Sequence, residues 1–216
     1  MQRRGLQFVL KSFLDYVFPV FCLGCEAEGE FVCKNCVLEF GRCIELQHTP
    51  SFYSGHVALG EYDQGDLLGK IIHALKYEFV EQMKGPIQEL FSFGLKPGDF
   101  LDFDYIVPAP LHKKRFAERG FNQAEIIAEA LASVLEVSVL HALKRTRETK
   151  QQAQLDRGER FPNVENAFGC TVKDLEKKRV ILVDDVFTTG ATMDECAKAL
   201  QAENVREIVG ITLAKG

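Results

Sequence analysis

The sequence has no apolar run long enough for a membrane helix, no internal repeat and no low-complexity segment. A membrane-spanning helix needs about 18 or more consecutive apolar residues, and the stretch after Met1 is interrupted by Lys11, Ser12 and Asp15. That stretch also lacks the small-residue cleavage site of a signal peptide. We therefore expect a cytoplasmic protein that has no membrane segment and keeps its thiols reduced.

The chain also lacks an overall positive charge, because its formal net charge is −5. That value argues against a protein that coats nucleic acid with its whole surface. Residues 111–160, however, hold ten Lys or Arg against seven Asp or Glu. A positive segment within an acidic chain predicts a local anion site. The length of 216 residues indicates one full domain plus a smaller module.

Cysteine is the residue type with the most uneven distribution, since five of the seven cysteines lie between Cys22 and Cys43. Clustering at one end is typical of a local metal site rather than of a disulfide framework. Two Cys-x-x-Cys pairs supply four thiolates, the ligand set that suits tetrahedral Zn²⁺: Cys22, Cys25, Cys33 and Cys36. We predict a structural zinc module, and redox pairs or an iron–sulfur centre are the alternatives. The module carries more acidic than basic residues, which disfavours direct DNA binding by it.

Apolar periodicity predicts the following elements. Helices are expected over residues 5–18, 66–77, 79–93 and 191–202, with another beginning at Asn122; strands are expected over residues 56–62, 105–107, 137–143, 180–183 and 207–214. The polar residues 111–121 and 144–163 are expected to be loops. Alternation of strand and helix after residue 100 predicts an α/β fold with a central parallel sheet flanked by helices. We divide the chain into a helix and zinc module (1–43), a hood or linker region (44–100) and a core (101–216).

The most informative segment runs from Val180 to Thr192 and reads VILVDDVFTTGAT. Ligands of open α/β sheets bind at the carboxyl ends of strands, and a helix start binds phosphate through its unpaired N–H groups. We expect Asp184 and Asp185 to accept hydrogen bonds from the two hydroxyls of a ribose. The following small-residue loop would hold a phosphate. The segment contains neither the Gly-Lys-Ser/Thr of a P-loop nor the Gly-x-Gly-x-x-Gly of dinucleotide folds.

This segment resembles the phosphoribosyl pyrophosphate motif of type I phosphoribosyltransferases. The resemblance implies that Asp184 and Asp185 bind the ribose hydroxyls and that the loop cradles the 5′-phosphate with Thr188, Thr189, Gly190, Ala191 and Thr192. It also implies Mg²⁺ bound with phosphoribosyl pyrophosphate. Enzymes acting on 6-oxopurines typically carry Asp where this chain has Thr188. Threonine cannot act as a base near neutral pH, so purine salvage is disfavoured.

A basic segment supplies a second signature, Pro-x-Pro-Leu-His over residues 108–112 followed by Arg-x-x-x-Arg-Gly-Phe-Asn-Gln over residues 115–123. Together with the two Cys-x-x-Cys pairs, His-Ala-Leu-Lys-Tyr at residues 73–77 and the polar stretch 151–168, it resembles the ComF family of competence proteins. The resemblance implies a type I phosphoribosyltransferase fold with an N-terminal zinc module. It also implies a role in DNA uptake during natural transformation, with single-stranded DNA and a helicase-like competence protein as partners.

Three functions remain open from the sequence. The protein is a ligand-binding component of DNA uptake, an active phosphoribosyltransferase that uses a nitrogenous acceptor, or a sensor that binds phosphoribosyl pyrophosphate without turnover. The sequence does not identify the catalytic residues of such an enzyme, and the candidates are Arg115, Arg119 and Lys76. The two arginines, together with Mg²⁺, would stabilise the leaving pyrophosphate, and Lys76 is a candidate contact to pyrophosphate or substrate. Phe116 and Phe121 could stack on the bases of single-stranded DNA. The sequence does not identify an acceptor.

Overall fold

The computed structural model describes residues 19–40, 44–46, 52–77, 81–147, 149 and 156–216. The helices are α1 (Lys34–Phe40), α2 (Leu67–Tyr77), α3 (Lys84–Gly94), α4 (Lys113–Arg119), α5 (Gln123–Leu135), α6 (Arg157–Val164) and α7 (Ala191–Gln201). The strands are β1 (Ile44–Leu46), β2 (Gly55–Glu61), β3 (Tyr105–Pro108), β4 (Ser138–Val139), β5 (Leu143–Arg145), β6 (Phe168–Cys170), β7 (Arg179–Phe187) and β8 (Glu207–Lys215). The helix predicted over residues 5–18 lies outside the described residues. Of the helices just named, none is both long and apolar enough to cross a bilayer.

A six-stranded sheet in the order β1-β2-β8-β7-β3-β4 forms the centre of the molecule. Its strands pair in parallel except β1, which runs antiparallel to β2. Strands β5 and β6 form a separate antiparallel pair. The predicted class, an α/β fold with a central parallel sheet and flanking helices, is therefore confirmed.

Strand β7 is buried on both faces, which explains its uninterrupted apolar run. Ile181 and Val183 belong to the core that also contains α2, α3 and α5. Val180 and Leu182 belong to a second core, on the other face, that contains α7. Successive side chains of a strand alternate between faces, so a strand covered by helices on both sides has to be apolar at every position.

The N-terminal module and the hood share the first of these cores. Cys22, Val32, Cys36 and Val37 are buried in the same apolar cluster as the inner faces of α2 and α3. Strand β1 pairs with β2 and β2 pairs with β8, so residues 44–100 supply two strands of the central sheet as well as two covering helices. The division of the chain at residues 43 and 100 remains a prediction.

The sheet topology opens a crevice between β3 and β7. The chain leaves β3 through α4 and α5 toward β4 at one edge, and it leaves β7 through α7 toward β8 on the opposite side. Ala109 donates its N–H to the carbonyl of Val183 at 2.8 Å, just beyond the end of β3. Strand β7 continues past this point beside β8 as far as Phe187. Ligands of open α/β sheets bind at such a reversal of strand order.

Two segments expected to be loops contain helices. Residues 113–119 form α4, where the side chain of His112 accepts a hydrogen bond from the N–H of Lys114 and Gly120 ends the helix at φ +80°. Residues 157–164 form α6, at whose start the N–H of Asp156 donates to Glu159. Both helices are polar on most sides, so their sequences carry no apolar period, and the expectation of loops was wrong.

Two strands also differ from their predicted extents. The strand expected over residues 137–143 is divided into β4 and β5, which belong to different sheets. The strand expected over residues 180–183 is longer, because β7 continues to Phe187 through hydrogen bonding with β8. Both aspartates therefore lie within β7. The sequence predicts that the strand ends before them, because two charged residues follow each other there.

We predict that Gly69→Ala destabilises the protein by about 2 kcal/mol or more. Gly69 is the third residue of α2, and a Cβ there would lie 1.8 Å from the carbonyl oxygen of Asp63, which requires backbone to move. Gly85→Ala is the matched control, since Gly85 lies in the first turn of α3 with nothing within 4 Å of an added Cβ. The control should gain about 0.5–1 kcal/mol from helix propensity. Urea unfolding measures both, and equal effects would contradict the packing argument.

Candidate functional site

A cleft of about 180 Å³ lies in the crevice between the carboxyl ends of β3 and β7. Six of the predicted site residues line it: Lys76, Arg115, Arg119, Asp184, Asp185 and Thr192. Thr188, Gly190, Ala191 and Thr192 line a smaller hollow at the start of α7, which Asp184 also borders. Thr189 is placed in the same turn, where its hydroxyl accepts a hydrogen bond from the N–H of Ala191 at 3.4 Å. The fold thus brings together residues that lie more than 100 positions apart in the sequence.

The two aspartates face opposite sides of the sheet because they follow each other in β7. Asp185 continues the face of Val183, toward α2, and its carboxylate lies 2.8 Å from the ammonium nitrogen of Lys76. Asp184 continues the face of Leu182, toward α7. Each carboxylate also accepts a hydrogen bond from the next backbone N–H, at 2.9 Å for Asp184 and 2.7 Å for Asp185. These bonds fix both side chains at the mouth of the cleft.

The electrostatic environment distinguishes the two carboxyl groups. Burial, together with the neighbouring carboxylate of Asp185, raises the pKa of Asp184 to about 7. Burial alone would lower the pKa of Lys76, but Asp185 and Asp184 raise it above its ordinary value. Lys76 therefore remains charged and neutralises Asp185, while Asp184 titrates near neutral pH.

Three arginines also line the cleft. Arg115 and Arg119 lie four residues apart on α4 and so share one face of that helix. Arg145 reaches the cleft from β5, where its guanidinium lies 5.1 Å from the ring centroid of Phe168 and hydrogen-bonds to Thr149. Burial and a neighbouring guanidinium lower the pKa of Arg115 and of Arg145. Such a concentration of positive charge in a half-buried cleft is relieved by an anion.

Three buried donors at this cleft have no hydrogen-bond partner in the described part of the chain. They are Arg115 Nη2, Gln123 Nε2 and Arg145 Nε. A buried donor without a partner costs about 1–3 kcal/mol, so three of them around one cavity indicate that a ligand supplies the acceptors. Sequence reasoning did not select Gln123 or Arg145 as site residues. Nothing distinguishes Arg145 from its basic neighbours until β5 pairs with β6.

Asn122 joins the two ends of the segment that carries Arg115 and Arg119. Its side-chain amide donates to the carbonyl of Ala109 at 3.0 Å, and its oxygen accepts from the N–H of Ala124 at 3.2 Å. The second bond confirms the predicted helix cap. Because the first bond joins the two ends of the segment, residues 109–122 form a closed loop whose α4 faces the cleft.

The hollow at the start of α7 has the features of a small anion site. Gly190 adopts φ +82°, a conformation that side chains disfavour, and the helix begins at the next residue. The positive end of the helix dipole lies at this point, and the first N–H groups of a helix have no partner within the helix itself. The hollow holds about 10 Å³, roughly the space for one water-sized group.

The four cysteines of the N-terminal module form a separate site. Their sulfur atoms all lie within 4.8 Å of one another, with 3.7 Å between Cys22 and Cys36 and 3.6 Å between Cys25 and Cys33. Tetrahedral zinc with Zn–S bonds of about 2.3 Å places its sulfurs about 3.8 Å apart. The cluster therefore has the ligand set and spacing that Zn²⁺ requires, and all four positions are filled by protein.

We predict one Zn²⁺ per chain and its loss in Cys36→Ser, because three thiolates bind the metal more weakly than four. Cys36 is buried in the core that contains α2, so the variant should also unfold at a lower temperature, by roughly 4–8 °C for a loss of about 2 kcal/mol in a chain of this length. Elemental analysis and a thermal melt measure the two effects. Cys170→Ser, at a half-buried cysteine of β6, is the control and should retain the metal. Iron and acid-labile sulfide in the purified protein would contradict the zinc assignment.

The chain has recognisable relatives. A phosphoribosyl transferase domain model matches residues 121–216. Competence protein F of Haemophilus influenzae is 31% identical over 211 residues, which cover 94% of this chain and 86% of the relative. DNA utilization protein YhgH of Escherichia coli K12 is 29% identical over 168 residues, which cover 76% and 71%. Competence protein ComFC of Bacillus subtilis is 32% identical over 143 residues, which cover 64% and 55%.

The similarity to Competence protein F spans almost the whole chain, including the four cysteines and the cleft. The matched transferase domain contains β7, the acidic pair and the small-residue turn. These matches agree with the parallel sheet and with the N-terminal cysteine cluster. The protein thus belongs to the ComF family, and it combines a phosphoribosyltransferase fold with an N-terminal cluster of four cysteines.

Proposed function

We propose that the cleft binds phosphoribosyl pyrophosphate and that the protein acts in DNA uptake. The observation that carries the ligand assignment is the set of three buried, unpartnered donors facing two carboxylates across one cavity. The ligand has the complementary order of groups, with a pyrophosphate at one end, a ribose diol in the middle and a 5′-phosphate at the other end.

Each part of the ligand meets side chains of matching chemistry in this arrangement. The pyrophosphate faces Arg115, Arg119 and Arg145, whose guanidinium groups bind phosphate oxygens in pairs. The ribose hydroxyls donate to Asp184 and Asp185. The 5′-phosphate lies at the start of α7, within the turn that Gly190 allows. The match supports the proposal along the whole length of the ligand.

Magnesium would enter with the ligand. Mg²⁺ prefers hard oxygen ligands, and the ribose and pyrophosphate oxygens provide them beside the acidic pair. When bound, it neutralises pyrophosphate charge. The chain itself holds the ribose, orients the pyrophosphate with the arginines and keeps Lys76 charged beside Asp185.

The role in DNA uptake is supported by the names of the relatives, which are a competence protein and a DNA utilization protein. The structure offers a place where single-stranded DNA could bind. Phe116 is 46% exposed on α4 beside Lys113 and borders a groove of about 290 Å³ next to the cleft. A base can stack on this ring while neighbouring cations contact the phosphates. Phe121, the other predicted stacking residue, is half-buried. A helicase-like partner is part of the same proposal.

We predict that Arg145→Gln weakens binding of phosphoribosyl pyrophosphate about tenfold or more, because a charge-assisted contact is lost. Asp184→Asn combined with Asp185→Asn should weaken it by a similar factor. Arg206→Gln is the matched control, since Arg206 is exposed in the turn before β8, at the opposite end of the sheet. Isothermal titration calorimetry with Mg²⁺ measures the affinities. Unchanged affinity in both site variants would show that the ligand binds elsewhere.

The same titrations should depend on pH. The ribose hydroxyls donate to the ionised form of Asp184, whose pKa in the free protein is about 7. Affinity should therefore rise as pH increases from 6 to 8 and level off above, and the rise should be smaller in Asp184→Asn, which has no carboxyl proton to lose. An equal pH dependence in the variant would assign the effect to the phosphates of the ligand.

A second function, transfer of ribose 5-phosphate to a nitrogenous acceptor, is favoured by one observation. Arg115, Arg119 and Arg145 line the cleft, where they would contact a departing pyrophosphate. In that reaction the bond from C1′ to the pyrophosphate oxygen breaks, the oxygen keeps the electron pair, and an acceptor nitrogen forms the new bond to C1′. Positive groups fixed around the leaving oxygen stabilise its growing charge.

Two measurements separate these functions. We expect a strain that lacks the gene to take up DNA poorly and to recover with the wild-type gene but not with Arg145→Gln. Pyrophosphate release, measured against a panel of free bases with and without single-stranded DNA, tests turnover. Release with a free base and normal uptake in the deletion strain would replace the DNA-uptake role with that of a metabolic enzyme.

A further inference from the structure

Helix α2 contacts both the cysteine cluster and the cleft. In its first half, the ammonium group of Lys70 donates to the carbonyl oxygen of Leu23 at 2.9 Å. Leu23 lies in the turn between Cys22 and Cys25, two of the four cysteines. In the last turn of the same helix, Lys76 lies 2.8 Å from Asp185. The two lysines are six residues apart, about 9 Å along the helix axis.

The buried face of α2 packs tightly between the module and the sheet. Leu68, Ile71, Ile72 and Leu75 are at most 1% exposed. They share one apolar cluster with residues of the module, including two of the cysteines. Because close-packed interiors transmit displacement, this packing gives a physical route from the turn around Leu23 to the last turn of α2.

We propose that α2 couples metal binding at the four cysteines to the affinity of the cleft for phosphoribosyl pyrophosphate. The inference rests on the ligand assigned above. Lys70 is the positioning residue at the metal end, and Lys76 is the residue that it positions at the ligand end. The chemistry of the turn supports the link, because four thiolates around Zn²⁺ carry a net charge of −2 and a nearby ammonium group stabilises that charge.

Metal binding fixes the turn that contains Leu23, and the fixed carbonyl holds Lys70. Without the metal, the turn loses the two bonds from Cys22 and Cys25 to the metal. The carbonyl of Leu23, which accepts the hydrogen bond from Lys70, is then held less firmly. The position of Lys76 relative to Asp185 then becomes less well defined. Because the ammonium of Lys76 faces both the acidic pair and the cleft, this change lowers the affinity for an anionic ligand.

Thermodynamic linkage makes the effect reciprocal. If the metal strengthens binding of the ligand by some factor, the ligand strengthens binding of the metal by the same factor. Coupling of this kind is typically 5-fold to 150-fold. The retention of zinc therefore reports on the coupling without any measurement of activity.

The first experiment measures the affinity for phosphoribosyl pyrophosphate in zinc-loaded and chelator-treated protein. Metal removal should weaken binding about fivefold or more in the wild type. Lys70→Met with zinc bound should already bind as weakly as metal-free wild type, and chelation should change it less than about twofold. Lys84→Met is the matched control, since Lys84 lies on α3 and pairs with Glu129 at 2.7 Å on the surface. The control should behave like the wild type.

The second experiment covers the case in which the metal-free protein does not fold. The affinity for zinc is measured by equilibrium competition with a chromogenic chelator, with and without phosphoribosyl pyrophosphate. The ligand should raise the zinc affinity of the wild type and of Lys84→Met but not that of Lys70→Met. Ligand binding with no such effect in the wild type overturns the coupling alone, and a zinc-loaded wild type that does not bind the ligand overturns the assigned ligand as well.

Discussion

The hydrogen-bond pairing of β7 determines where the crevice and the two aspartates of the candidate site lie. Up to Val183 the strand is bonded to β3 and β8, and beyond it the strand continues beside β8 alone. The loss of one neighbour opens the crevice, and the continued bonding to β8 keeps Asp184 and Asp185 rigid at its edge. A loop in the same place would have left the two carboxylates free to rotate away from each other.

Alternation along that strand then separates the roles of the two aspartates. Asp185 meets Lys76 from the hood, while Asp184 faces the side of α7 and has a raised pKa. The arginines reach the cleft from α4 and β5, two elements that are separated from β7 in the sequence. The result is a single cavity lined by both positive and negative groups, the charge pattern on which the proposed ligand depends.

The cysteine module is joined to this arrangement through packing as well as through the chain. Its buried residues share a core with α2 and α3, so a metal held by the four cysteines would also stabilise the hood that covers the sheet. Lys70 adds a polar contact between the same two parts. A module this small has little apolar surface of its own, a deficit for which a bound metal would compensate.

The sequence by itself determined the class of fold, the four-cysteine cluster and the acidic pair, since each depends on residues close together in the chain. Apolar periodicity located β7, β8, α5 and α7, and Cys-x-x-Cys spacing identified the thiolates. Apolar periodicity did not identify α4 and α6, because their polar sequences have no buried face that would create a period. Only the tertiary structure placed Lys76 beside Asp185 and Arg145 in the cleft. Lys76 and Asp185 are about 110 positions apart, and Arg145 is about 40 positions from the acidic pair. Their proximity depends on the order of strands in the sheet and on the pairing of β5 with β6, which no local pattern encodes.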